Sequence, residues 1–234
     1  MKYTEVLPGE FISRHNRFIA RVKIGENVET VHVKNTGRCK ELLIPGCRVY
    51  LSCSQNTNRK TKYDLIAVEK KREANTPLLV NIDSQAPNHA VGEWLESCGL
   101  FGKDAVIRRE VTYGNSRFDF CIKQDNTTYL EVKGVTLEKD GVALFPDAPT
   151  LRGVKHINEL IECVKNGNRG ILVFVIQMKE MKVFRPNDRM HFEFGEALRT
   201  ASESGVEIIA VDCNITPDTI TVDNFVPVDL KSAF

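Results

Sequence analysis

Asp119, Glu131 and Lys133 lie within one stretch of sixteen residues, DFCIKQDNTTYLEVKG, numbered 119–134. Two carboxylates set near one amine have a definite chemical use. A hard divalent cation such as Mg²⁺ is held by one or two carboxylates, with water and substrate phosphate oxygens completing its shell. Such an ion polarises a phosphate and lowers the pKa of a water beside it. A lysine alongside can hold or deprotonate that water, or neutralise charge developing on the phosphate. The residue types therefore point to phosphodiester hydrolysis with Mg²⁺ or Mn²⁺, with Asp119 and Glu131 as ligands and Lys133 as their partner. The same short spacing also fits a surface ion pair of Lys133 with one carboxylate.

A hairpin would have to position these groups. Phe118, Phe120 and Ile122 alternate onto one face of the first arm, and Asp119 and Cys121 onto the other. On the second arm Leu130 and Val132 share a face, with Tyr129, Glu131 and Lys133 opposite. A three-residue loop, Gln124-Asp125-Asn126, brings the apolar faces together. It pairs Lys123 with Thr127, Cys121 with Tyr129, and Asp119 with Glu131. A two-residue loop would set Asp119 against Val132 and mix the faces. Directly opposed residues have Cβ atoms roughly 4.5–5.5 Å apart, and two like charges so placed need a compensating cation.

Further elements flank the hairpin. A helix capped by Asn88 runs to about Cys98, with Val91, Trp94, Leu95 and Cys98 as its apolar stripe and Glu93 nearly opposite. Strands are predicted over Ala105–Val111, Arg117–Ile122 and Thr127–Lys133. A second helix spans Thr150 to Gly167, burying Val154, Ile157, Leu160, Ile161 and Val164. Arg152 and His156, four apart, fall on its exposed face, where two cations suit a phosphate backbone. Arg152 paired with Glu159, or an idle surface His156, fits the spacing too. The continuous apolar run Ile171–Ile176 reads as a strand buried on both faces. A helix over Asn187–Ser204 and a strand over Val206–Val211 complete a mixed α/β sheet flanked by helices.

The front of the chain differs. Phe11–Ile24, with Phe18, Ala20, Val22 and Ile24 alternating, reads as β, as do Val28–Val33, Arg48–Leu51 and Lys62–Glu69. Gly25-Glu26-Asn27 and Gln55–Lys60 read as turns. Short strands in a segment of this length predict a small OB-type barrel, a fold that binds oligonucleotides; a structural or protein-binding barrel has the same pattern. Residues 1–80 carry 15 Lys and Arg against 8 Asp and Glu, net +7, and residues 81–234 carry 17 against 23, net −6. The basic front suits a polyanion. Two domains follow, 1–80 and 81–234, joined at Arg72–Pro87, a polar stretch with two prolines.

Composition removes several classes. The apolar run at 171–176 is far too short to span a bilayer, and the start, MKYTEVLPGEF, reads as no signal peptide. Seven cysteines without C-x-x-C spacing indicate neither a zinc ribbon nor a disulfide framework, and the expectation is free thiols in a reducing cytoplasm.

The segments SRFDF, YLEVKGVTL, FPDAPTLRGVKHINEL and VHVKNTGRCKELLIPGCRVYLS together resemble the sugar fermentation stimulation protein A family over most of the chain. The resemblance implies an N-terminal OB-fold, a PD-(D/E)xK restriction-endonuclease-like domain, DNA binding and a link to the regulation of sugar metabolism. It implies Asp119 as the acidic position, Glu131-x-Lys133 as the E-x-K, and Glu93 as the glutamate of the first helix. Phe145-Pro146-Asp147-Ala148, Thr150, Arg152, Gly153 and His156 match the family's stretch after the core. It implies Arg14, Arg17, Lys34, Asn35, Arg38 and Lys40 as DNA contacts on the barrel. Gly134 departs from the small polar residue associated with the family there. No helix-turn-helix is visible, so DNA binding without strong sequence specificity is expected. A non-catalytic DNA-binding regulator and a protein-interaction module are the alternatives; no membrane partner is expected and the oligomeric state stays open.

Overall fold

Alternating apolar residues and short turns build the first half. In the computed structural model, which describes residues 1–35, 37–54, 56, 58–72 and 76–232, five strands form a ring. They are β1 (Val6–Arg14), β2 (Ile19–Ile24), β3 (Asn27–Val33), β4 (Arg48–Cys53) and β5 (Tyr63–Lys70), in the order β3-β2-β1-β4-β5, with β3 also pairing β5 to close it. This is the expected OB-like barrel. Ala20, Val22, Val31, Val49, Leu51 and Leu65 fill it. Gly25 has a φ of +58° in the tight turn between β2 and β3, a conformation glycine adopts without strain.

Two expectations change here. Phe11–Ile24 is not one strand: the chain turns at residues 15–18, because the Asn16 side-chain oxygen accepts from the amides of Phe18 (2.8 Å) and Ile19 (3.0 Å). Phe18 consequently leaves the alternation and faces solvent. Leu78–Asn81, placed in the junction, forms β6 and pairs antiparallel with β5. Residues 73–75 of that junction, and Gln55 and Thr57 of the predicted turn, lie outside the described residues.

The second half contains α1 (Ala86–Leu95), β7 (Val106–Tyr113), β8 (Ser116–Lys123), β9 (Thr127–Val135), β10 (Leu137–Lys139) and β11 (Val142–Phe145). Then come α2 (Leu151–Lys165), β12 (Arg169–Ile176), β13 (Val183–Pro186), α3 (Phe192–Glu203), β14 (Glu207–Thr216) and β15 (Thr219–Phe225). A mixed six-stranded sheet runs β15-β14-β12-β9-β8-β7, and a small one β10-β11-β13. β12 lies at its centre, parallel to β9 and β14. Ile171 to Ile176 are fully buried, as the run of apolar residues requires. α1 starts at Ala86 rather than after Asn88, since Pro87 suits a helix's first turn. α3 starts at Phe192 rather than Asn187, because residues 187–191 form a tight turn on the Asn187 carbonyl. α2 is capped by Thr150, whose side chain accepts from the Gly153 amide at 3.0 Å.

One hydrophobic cluster runs from the barrel (Phe11, Val22, Leu51) into the α/β half (Phe118, Ile157, Phe174), and a second lies under α1. Polar ties reinforce the join. Gln177 Nε2 donates to Asn81 Oδ1 and to the Asp83 carbonyl, both at 3.0 Å, and Lys34 pairs with buried Asp83 at 2.8 Å. The chain's first residues cross over as well: Tyr3 donates its amide to Asp218, and Lys2 bridges Thr219.

Candidate active site

The loop of three residues sets the predicted register: Lys123 pairs with Thr127, Cys121 with Tyr129, and Phe120 with Leu130. The ladder stops there. Asp119 does not pair backbone to backbone with Glu131; its Oδ2 accepts instead from the Val132 amide at 2.7 Å. On the other side β7 is irregular at Glu110, which has a φ of +56° and no partner in a ladder that resumes at Val111 and Phe118. The register is the same on both sides of the break, so Glu110 and Asp119 stand opposite each other outside the ladder. Phe118 packs with the α2 cluster while Phe120 and Ile122 pack with the α1 cluster, so the three do not share a face as the alternation predicted.

Asp119 sits at this switch point. Its Oδ1 accepts from Asn88 Nδ2 at 2.6 Å. Asn88, read as a helix cap, is thus an orienting residue on the first turn of α1. The side chain of Glu93 lies five positions further on, about 140° round a helix of 3.6 residues per turn. It is exposed and meets the Met1 nitrogen. The helix glutamate implied by resemblance therefore points away from the site, and Asn88 takes that place.

Glu131 is 3% exposed. Its Oε1 accepts from Lys133 Nζ at 2.5 Å and also meets His156 Nδ1. His156 is therefore not on the exposed face of α2; it is buried and turned towards the sheet. Arg152 Nε reaches His156 Nε2 across a long 3.4 Å, which sets the ring proton on Nδ1, the atom facing Glu131. Arg152 itself is exposed.

Charge is unevenly held. Burial, and next the Glu131 carboxylate, raise Asp119 to about 6. Burial acts in the same sense on Glu131, but the hydrogen bond from His156 and the charge of Lys133 outweigh it and hold Glu131 below the ordinary range. Glu131 Oε2 is buried with no hydrogen-bond partner. An unsatisfied carboxylate oxygen in such a place is costly unless something positive meets it. Each oxygen of Asp119 also keeps an unused lone pair. Two carboxylates with free oxygen lone pairs suit a hard cation. Among the described residues no group of three His, Cys, Asp or Glu side chains is arranged to hold a metal ion, so an ion at this pair would take its other ligands from water, backbone or substrate. The seven cysteines are unpaired, five of them buried.

Gly134 follows the lysine. A Cβ there would lie 2.5 Å from Gln177 Oε1 and 2.9 Å from Pro87. Gln177 is pinned by Asn81 and Asp83 and cannot simply swing aside. Gly134→Ala is expected to cost about 1–3 kcal/mol, read as a lower urea midpoint with unchanged slope.

The six barrel residues separate into two groups. Arg14 is engaged by four backbone carbonyls, those of Asn16, Arg17, Asn35 and Arg38. Asn35 bridges the Ile82 carbonyl and the Gly37 amide, and Lys34 pairs with Asp83. These three tie the loops together. Arg17, Arg38 and Lys40 are exposed and form no ion pair with a described residue. They line one cleft on the barrel, and Arg17 also borders a second, of about 320 Å³, that reaches Gly134 and Thr150. Asn88, the Val132 amide and the role of His156 escaped the sequence. Only the position of Asn88 in the first turn of α1 offered a signal.

Two family models match the chain: SfsA N-terminal OB domain over residues 12–80, and Sugar fermentation stimulation protein RE domain over residues 85–219. A sugar fermentation stimulation protein homolog of Desulfitobacterium hafniense (strain Y51) is 52% identical over 231 residues, covering 98% of this chain and 99% of its own length. One from Clostridium beijerinckii is 49% identical over 231 residues, covering 98% and 100%. The solved structure of Pyrococcus furiosus SfsA in complex with Ca²⁺ superposes with a TM-score of 0.86 at 29% identity, covering 98% of both chains.

Proposed function

The chain belongs to the sugar fermentation stimulation protein family, and from that premise we propose that it is a DNA-binding, divalent-metal-dependent nuclease. One observation carries the reading. Glu131 is buried with one oxygen taken by Lys133 and His156 and the other without a partner, beside an Asp119 whose carboxyl burial raises to about 6. A purely structural ion pair has no need of the second carboxylate. The Ca²⁺ complex of the Pyrococcus furiosus relative supports a hard-cation site, since Ca²⁺ and Mg²⁺ both take oxygen ligands.

Asp119 and Glu131 would hold Mg²⁺ or Mn²⁺. That ion would supply polarisation of the scissile phosphate and a lowered pKa for a neighbouring water. The chain's own residues do the remaining work. Asn88 and the Val132 amide fix the Asp119 carboxylate. His156 fixes Glu131 from α2. Lys133 Nζ, partly exposed beside Glu131, is placed to orient a water or neutralise a phosphate oxygen. Arg17, Arg38, Lys40 and Arg152 would meet the backbone of DNA, with little reading of sequence.

A second reading is a DNA-binding regulator with this fold and no turnover, for which the exposed Arg17, Arg38 and Lys40 suffice. The test is incubation of the chain with single- and double-stranded DNA and RNA, with Mg²⁺ or Mn²⁺. Cleavage that a chelator stops supports the nuclease; binding without cleavage under either metal overturns it in favour of the regulator.

A further inference from the structure

We propose that the barrel carries a stacking site for an unpaired base at Phe18, so that the nucleic acid this protein prefers is single-stranded. The inference rests on the nucleic-acid reading above and adds the substrate class. Phe18 is 51% exposed although it is a large apolar side chain. Its exposure does not come from a loose loop. Asn16 Oδ1 fixes its amide, and its carbonyl accepts from the Val33 amide at 2.7 Å. The ring is therefore presented on a fixed backbone, which limits the entropy lost when a ligand stacks on it.

Its surroundings suit a nucleotide. Phe18 borders a cleft of about 620 Å³ with Lys60, Ser84 and Gln85. Lys60 is exposed and can meet a phosphate; Ser84 and Gln85 are exposed and can meet a base edge. The carboxylate in the cleft, Asp64, is already engaged by a bidentate Arg59 at 2.7 and 2.9 Å and by a hydrogen bond with His32 at 2.8 Å. Asn35 and Ser84 also border the cleft that reaches Gly134 and Thr150, so the two clefts adjoin. Arg17, next in sequence to Phe18, lines that second cleft and the basic one beyond it. An aromatic platform in a basic furrow is how single strands are held without sequence preference. Bases stacked inside a duplex are not available to such a ring. Asp147 is the one carboxylate among the residues lining the second cleft and Arg17 the one cation; Arg38 and Lys40 add positive charge in the cleft beyond.

Fluorescence anisotropy at one fixed salt concentration tests this, with a labelled single-stranded oligonucleotide, its duplex and an abasic single strand. The wild type should bind the single strand more tightly than the duplex or the abasic strand. Phe18→Ala should weaken single-strand binding about tenfold and leave duplex binding unchanged, and Phe18→Trp should restore it. Equal binding of the single strand by wild type and Phe18→Ala, with Arg17→Ala still weakening both forms, overturns the stacking site and leaves the nucleic-acid reading standing. No binding of any form by the wild type overturns both.

Discussion

Asp119→Asn is expected to make the metal-free protein more stable than wild type at about pH 8, while removing its stabilisation by Mg²⁺. The sign follows from the shift. Burial and Glu131 raise the folded carboxyl from 3.8 to about 6. A raised carboxyl favours folding only while protonated. That advantage is complete below about pH 4 and is lost as pH rises through about 6. Above that range the charged Asp119 opposes folding by up to about 3 kcal/mol, since each pKa unit is about 1.4 kcal/mol. Asparagine removes the charge and keeps an oxygen for the Val132 amide, and its NH2 can donate to the Asn88 side-chain oxygen once that amide turns over. Urea denaturation in chelator should therefore show a gain of about 1–3 kcal/mol for the variant at about pH 8, shrinking towards zero at about pH 4. A functional site that strains its fold commonly has this signature. A variant less stable than wild type at high pH would mean that Asp119 is a structural carboxylate.

The second large effect is on turnover. Lys133→Ala should lower metal-dependent cleavage by about 10²–10⁴-fold while DNA affinity stays within about twofold. The reason is position: Lys133 Nζ is bonded to Glu131 and mostly buried, so it contributes little to long-range attraction of DNA. Removing it leaves Glu131 with His156 as its remaining neighbour, which keeps the fold from carrying a wholly unpaired buried charge. Lys133→Met keeps the aliphatic stem and serves as the check on folding. Equal loss of binding and cleavage would make Lys133 a phosphate contact and not a group acting in the reaction.

Much of this was legible in the chain. Period-two alternation and the Gly25 turn gave the barrel strands, and the 171–176 run gave the central strand. The hairpin register followed from matching apolar faces across a three-residue loop. What escaped depends on contacts distant in sequence. Nothing near Glu110 announces a positive φ, or that the ladder breaks at Glu110 and Asp119 and that Asp119 meets Asn88 there. His156 looks exposed on a helical wheel drawn from its apolar neighbours. It is buried because α2 packs on the sheet at the point where Glu131 needs a donor. Arg14, Lys34 and Asn35, DNA contacts by family resemblance, are also engaged within the fold by backbone groups and Asp83. Phe18 read as core because alternation cannot register a turn made by a side chain two residues earlier.

The domain pattern also gains a physical meaning. The barrel and the α/β half share one core and a pinned Gln177 behind Gly134, so the basic barrel cleft and Lys133 are held in fixed register. A protein-interaction module, the remaining alternative, would use neither the unpartnered Glu131 oxygen nor the raised Asp119. Among the described residues no helix is long and apolar enough to cross a bilayer.

The central claim is that Asp119 and Glu131 form a seat for a hard divalent cation. Calorimetric titration of Mg²⁺, and of Ca²⁺ as a non-catalytic substitute, into wild type and Asp119→Asn at neutral pH tests it most directly. The account predicts saturable binding of an ion by wild type, weakened as pH falls below about 6, and none by the variant. Equal binding by both proteins, or no binding by wild type with DNA present, would contradict it.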